Sequence, residues 1–322
     1  MSVNDEGEFA LVARIIARLP TGPAALLGPG DDGAVIAAPD GRVVASTDVL
    51  VEGRHFRTDW SSGYDVGRKA AAANLADVVA MGARPTALLV GLACPGELSV
   101  SWVEALADGL AAECALLHAS VVGGDVVAAP VITVAVTALG DLQGRAPLTR
   151  SGASPGDRVI VTGVPGAAAG GLALLEAGRS DHPLVSAHRR PTPDYAAAQR
   201  IADGASAMID VSDGLVADLG HVARASGVRI EIAAARLPMT PELDSAGRLL
   251  GVDPVVWALT GGDDHGFAAT VPRPLDGSGV ATIGAVLEVV PGESPGVVVI
   301  DADVPARTGH EHFPSPPSRS GS

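Results

Sequence analysis

The sequence predicts an α/β or α+β protein of two domains, and three observations carry that prediction. Its 322 residues suit two units at roughly 150 residues each. Short apolar, strand-like runs alternate with segments of helical period in both halves. Between the halves, Gly140 to Gly156 is rich in Gly, Pro, Ser and Arg, and a fresh strand opens at Arg158. The boundary is placed near residue 147, giving an N-terminal domain over 1–147 and a C-terminal domain over 148–313. The Pro- and Ser-rich stretch 314–322 reads as a disordered tail.

The elements follow in order. Residues 8–19 place Phe9, Val12, Ile15, Ile16 and Leu19 on one helical face, and Pro20 ends the run. Arg42 to Ala45 reads as a strand that delivers Ser46, Thr47 and Asp48 to its end. Tyr64 to Met81 reads as an alanine-rich helix closed by Gly82 and Pro85, with Asn74, Asp77 and Met81 on one face. A strand over 86–92 precedes a second helix that runs toward His118, where Ser101 and Glu104 have capping-box spacing. Ser120 to Val122 leads into Gly123-Gly124-Asp125, and Val131 to Leu139 alternates as a strand does. The second half reads as a strand (158–162), a glycine-rich turn, a helix (167–176) and a helix near 194–203. A strand and turn at 206–214, a helix through 216–226 and further short strands complete it.

Composition narrows the chemistry. Hydrophobic residues make up 47% of the chain but include only three Trp, two Tyr and four Phe, so the core must be mostly Ala, Val, Leu and Ile. A net charge of -15 argues against a nucleic-acid backbone as partner. Lys69 is the single lysine and Ala70 follows it, which excludes a Walker A loop. The protein-kinase signatures are absent as well. Cys94 and Cys114 are too far apart for a CxxC pair and read as buried small hydrophobes. The acidic start lacks the features of a signal peptide, and no apolar run approaches the ~20 residues that span a bilayer. A cytoplasmic setting without membrane contact is expected.

A phrase of acid beside glycine or hydroxyl recurs along this frame. It reads Gly30-Asp31-Asp32, Ser46-Thr47-Asp48, Gly123-Gly124-Asp125, Asp210-Val211-Ser212-Asp213-Gly214 and Gly261-Gly262-Asp263-Asp264. Hard divalent cations take carboxylate and hydroxyl oxygens, and glycine lets backbone approach phosphate. Each copy alone is equally a turn or a cap: Ser212 or Asp213 could simply cap the following helix. Asp77, in an otherwise apolar helix, is costly to bury without a partner. The segment Val161 to Gly171 has the form of a phosphate cradle at a helix N-terminus, though not the G-x-G-x-x-G spacing. His55, His118, His221 and His265 have no partners at metal spacing and read as ordinary polar histidines.

Taken together these motifs resemble the thiamine-monophosphate kinase family. The resemblance runs from about residue 7 to 313. It includes Ser46 through Phe56, Lys69-Ala70 through Ala83, Leu148-Thr149-Arg150-Ser151-Gly152-Ala153, Asp210 through Leu215 and Gly309-His310-Glu311-His312-Phe313. It implies an aminoimidazole-ribonucleotide-synthetase-like fold, with an N-terminal domain whose strands join a partner's in a homodimeric sheet or barrel. It also implies transfer of the γ-phosphoryl group of ATP to thiamine monophosphate, with several magnesium ions and ATP in the cleft between domains. By motif, Asp32, Ser46, Thr47, Asp48, Asp77, Asp125, Asp210 and Asp213 would be magnesium ligands. Gly124, Asp125, Arg150 and Ser212 would contact ATP, and His55, Asp263 and Arg307 the thiamine substrate. No general base is implied, because the acceptor is an already ionised phosphate.

The departures fall on the acceptor side. The family's Gly-Gly-Glu-Asp-Tyr-Glu reads Gly261-Gly262-Asp263-Asp264-His265-Gly266 here, and Arg307 and Thr308 replace a C-terminal aromatic. Weaker stacking on the thiamine rings is expected. On the residues alone two other classes stay open: a sister enzyme that activates a carbonyl or amide oxygen with ATP, and a non-catalytic nucleotide- or metal-binding module. A purely structural role for the acids stays open too.

Overall fold

The computed structural model describes residues 1–29, 33–273, 279–290, 292, 295–301, 303 and 308–309. Asp32, Arg307 and the tail 314–322, each singled out above, lie outside the described residues. The N-terminal half contains α1 (Val3–Glu6), α2 (Glu8–Ile16), a two-stranded ribbon of β1 (Ala25–Leu27) and β2 (Val35–Ile36), β3 (Val44–Val51), α3 (Gly63–Ala80), β4 (Arg84–Cys94), α4 (Val100–Ala115), β5 (Ser120–Ala128) and β6 (Thr133–Asp141). The C-terminal half contains β7 (Arg158–Thr162), α5 (Ala167–Glu176), α6 (Val185–Arg189), α7 (Tyr195–Ala202), β8 (Ala207–Val211), α8 (Leu215–Ser226) and β9 (Arg229–Ile232). It ends with α9 (Pro241–Leu250), α10 (Pro254–Thr260), β10 (Gly266–Val271), β11 (Val280–Leu287) and β12 (Val298–Ile300). The mixed α/β architecture is the one expected.

Strands β3-β6-β4-β5 form the first sheet, antiparallel except for the parallel β4/β5 pair that α4 connects. One register row runs straight across it: Asp48, Val136, Val90 and Gly124. The second sheet has the order β12-β9-β11-β7-β10-β8, antiparallel except for β12/β9. Helix α3 starts at a capping box between Ser62 and Asp65 and is buried along nearly its whole length. It lies against β3, β4, β6 and α4 of its own half and against α7, β8 and β10 of the other. Gly67 lets α4 approach, since a Cβ there would lie 2.2 Å from the Leu106 carbonyl oxygen. The main hydrophobic cluster accordingly crosses between halves, from Leu75 and Val136 to Ile160 and Phe267.

Two boundaries differ from the sequence expectation. Ser46, Thr47 and Asp48 lie inside β3 rather than at its end, because pairing with β6 continues to Val51. The cap of α4 is Ser99, whose hydroxyl accepts from Trp102 N, rather than Ser101 with Glu104.

Candidate active site

The site grows from the middle of β3, the facing ends of β8 and β10, and helix α3. On β3, side chains alternate across the sheet. Ser46 and Asp48 face α3, where Ser46 Oγ donates to Asp77 Oδ2 at 2.5 Å and the Asp48 N–H donates to Asn74 Oδ1 at 3.0 Å. Thr47 points to the opposite face, where its hydroxyl donates to the Val136 carbonyl and accepts from Thr137. In the second half β8 and β10 pair so that Phe267 stands opposite Asp210, and the His265 N–H donates to the Val211 carbonyl. This sets His265 Nδ1 3.5 Å from Asp210 Oδ2 and its Nε2 3.9 Å from Asp263 Oδ1.

Ser46, Asp77, Arg150 and Asp210 line one cleft of about 550 Å³ between the halves, with Arg42 at its rim. Among the described residues, no lysine or arginine pairs with Asp48, Asp77, Asp210 or Asp213. The electrostatics follow. Burial, then the charge of Asp210, pushes the Asp77 carboxyl up to about 7. Burial likewise raises Asp48, with Asp210 and Asp213 adding to it. Burial alone would lower the His265 imidazole, but the Asp210 carboxylate 3.5 Å from its Nδ1 raises it.

Across the cleft, Lys69 Nζ donates to Asp263 Oδ2 and to the His55 carbonyl, both at 2.9 Å. Burial would raise the Asp263 carboxyl, yet the neighbouring Lys69 ammonium and His265 hold it well below the usual carboxylate range. Gly262 is required here, because a Cβ would lie 2.5 Å from the Ser212 carbonyl oxygen.

Several sequence expectations change in this light. The turn before α5 is not an open phosphate cradle: the Asp264 carboxylate fills it, accepting from Gly166 N at 2.5 Å and Ala168 N at 2.8 Å. Neither Ser212 nor Asp213 caps α8. Instead Asp218 Oδ2 reaches back from the first turn and accepts from the N–H groups of Ser212, Asp213 and Gly214. His265 is 6% exposed and central to the site, not an ordinary polar histidine. Gly124 and Asp125 do not join the cleft within one chain. They lie on β5, separated from β3 by β6 and β4, which is roughly 14 Å at the usual strand spacing. There they line a second, mainly apolar cavity of about 540 Å³ with residues of α2 and α4. Among the described residues, no three His, Cys, Asp or Glu side chains converge closely enough to enclose an ion alone.

Two family descriptions match the chain: AIR synthase related protein, N-terminal domain, over residues 30–142, and its C-terminal domain over 154–300. The thiamine-monophosphate kinase of Mycobacterium tuberculosis is 47% identical over 300 residues, covering 92% of this chain and 88% of its own. The chain belongs to the thiamine-monophosphate kinase family. The Escherichia coli K12 member is 39% identical over 280 residues, covering 83% of each chain. A solved structure, AaThiL complexed with AMPPCP and TMP, superposes with a TM-score of 0.79 at 33% identity, covering 97% of this chain and 99% of that one. Within this family member, Lys69 is the side chain missed as a site component, while Asp264, singled out with the acceptor-side acids, serves the turn before α5 instead. A lone buried lysine in an alanine-rich helix was the available signal for Lys69.

Proposed function

We propose that this chain phosphorylates thiamine monophosphate to thiamine diphosphate at the expense of ATP, with the triphosphate in the cleft between its halves. The observation that carries this is the convergence of Ser46 and Asp77 from one half with Asp210 from the other on a single cleft, with Asp48 near enough to feel the Asp210 charge and no lysine or arginine among the described residues paired to these acids. Partly buried carboxylates that no lysine or arginine pairs, together with a hydroxyl, are hard oxygen donors and fit magnesium. When bound, several such ions would neutralise the repulsion between the two polyanions. Asp48, Asp77, Asp210 and Asp213, with Ser46, would hold them, and Asp32 joins this set by motif.

Arg150 contributes fixed positive charge beside the triphosphate, and Ser212 contacts it at the tight turn after β8. The acceptor phosphate oxygen is already ionised near neutral pH, so it attacks in line. One P–O bond forms to it as the bond to the ADP leaving group breaks, and no side chain takes a proton. His55 Nδ1 accepts from Val51 N at 3.0 Å, so the neutral ring carries its proton on Nε2 as a donor. With Asp263, and by motif Arg307, it would orient the thiamine end.

Thr47 and Asp125 both lie on the sheet face turned away from α3, together with Val49 (47% exposed), Leu89 (39%) and Val127 (50%). A second copy covering this face would bury those apolar side chains and carry its β5, with Gly124 and Asp125, to the neighbouring Thr47. The apolar β5 cavity suits the adenine base. We therefore place the enzyme as a homodimer with shared sites and a domain boundary near residue 147. The cytoplasm suits it, as a compartment that supplies ATP and keeps the buried Cys94 and Cys114 reduced. No helix of the described residues is long and apolar enough to cross a membrane.

The test is a magnesium-dependent thiamine diphosphate assay on the wild type, on Asp48→Asn, on Asp125→Asn, and on the two variants dissociated and remixed. Wild-type activity, two inactive variants and recovery on mixing are expected, since a mixed dimer holds one intact site. Wild-type ATP binding without product would sink the kinase reading, and no recovery on mixing would sink the shared site.

A further inference from the structure

Lys69 is the chain's only lysine, and it is 2% exposed. Its ammonium makes two charge-assisted hydrogen bonds, one to the backbone carbonyl of His55 and one to Asp263 Oδ2, each 2.9 Å. The two acceptors belong to different halves: His55 to the turn after β3, Asp263 to the loop between α10 and β10. Each is pinned separately on its own side. The His55 N–H donates to the Val51 carbonyl at 3.0 Å, and its ring accepts from Val51 N. Asp263 holds a left-handed backbone at φ +69, with its N–H on the Ser212 carbonyl at 2.8 Å. The remaining freedom is the gap between the two segments, and Lys69 spans that gap.

A surface lysine in such a contact would be screened and mobile, contributing little. Buried, with both partners fixed, it acts as a strut of set length. The shortened side chain at Asp263 sharpens the point, because an aspartate has less reach than a glutamate to make up for a shift of its loop.

We infer that Lys69 is a positioning residue of the acceptor site: by gripping the His55 carbonyl and the Asp263 carboxylate together, it fixes the spacing of the two side chains that meet thiamine monophosphate. This rests on the kinase reading above. Lys69 acts through these two groups, so its removal should loosen acceptor binding while leaving ATP binding in the carboxylate cleft intact.

The experiment measures KM for thiamine monophosphate and for ATP separately in Lys69→Met and in Lys69→Gln. The glutamine keeps a buried donor at shorter reach and without the charge, and so keeps the test open if Lys69→Met alone fails to fold. A rise of roughly tenfold or more in acceptor KM, with ATP KM within about twofold of wild type, is expected in whichever variant folds. A merely structural lysine would lower the melting temperature without splitting the two constants. An active wild type whose folded variants keep acceptor KM within about twofold, or raise both constants together, overturns the inference alone. A wild type that makes no thiamine diphosphate overturns the kinase reading and this inference with it.

Discussion

Two groups of buried or half-buried acids lie within one helix length of each other and are handled in opposite ways. Glu113 is wholly buried, but Arg68 Nε donates to it at 2.5 Å and the Tyr195 hydroxyl at 2.8 Å. Asp263 has Lys69. Asp77, two turns further along the same α3 that carries Arg68 and Lys69, has only the Ser46 hydroxyl, and Asp48 beside it has no cation among the described residues. The paired acid Asp263 is held below the usual range, whereas Asp77 is pushed up to about 7. An unpaired buried charge is costly to keep. The difference separates acids whose counter-charge is built in from acids that, on the proposed function, would take theirs from a bound cation.

Removing one acid from each group should break the comparison in opposite directions. Asp77→Asn is expected to lower turnover roughly a thousandfold, about 4 kcal/mol of barrier, as loss of a central charge-organising group does. The same change should raise the melting temperature of the metal-free protein, because it deletes a charge without a partner. Thiamine diphosphate formation and calorimetry in chelator check the two halves, and a fall in both would move Asp77 into the paired group.

Glu113→Gln should do the reverse. It leaves Arg68 buried against a neutral amide and weakens the link from α4 to Tyr195 on α7, so a loss of about 3 kcal/mol in stability is expected. KM values should stay unchanged. Urea unfolding with an unaltered slope is the measurement, and a stability change below about 1 kcal/mol would show that the pair is replaceable.

How much of this the sequence could reveal depends on the range of each interaction. Helices α3, α5 and α8 were legible because alanine runs, Gly82, Pro165-Gly166, Gly214 and Gly227 punctuate them locally. Strand β3 was legible only at its start, since Ser46, Thr47 and Asp48 interrupt the apolar run that marks a strand, and they do so because one of its faces lines the cleft. The acids themselves could be picked out by type, but not their split into two faces of a sheet, which needs the register with β6 and β4. The pairings that decide charge were out of reach. Lys69 meets Asp263 194 residues away, and Asp264 fills the α5 N-terminus from 98 residues beyond it. Without a fold, nothing in a lone lysine or a glycine-rich turn shows who its partner is.

The smallest expected effect concerns a neutral group on the paired side. His188, on α6, is 4% exposed, and its Nδ1 finds no hydrogen-bond partner among the described residues. Burial, aided by the Lys69 charge, lowers its imidazole from 6.5 to about 3. A depressed histidine means that the unfolded chain takes up a proton that the folded chain refuses. Its contribution to stability is therefore full above about pH 6.5 and is lost as pH falls toward 3. Between pH 7 and pH 5 this amounts to about 2 kcal/mol. His188→Leu keeps the site apolar and removes the titration, so its urea midpoint should fall less over that interval than the wild type's. If the two acid slopes coincide, His188 is protonated in the folded protein, and the charge of Lys69 is being absorbed by Asp263 alone.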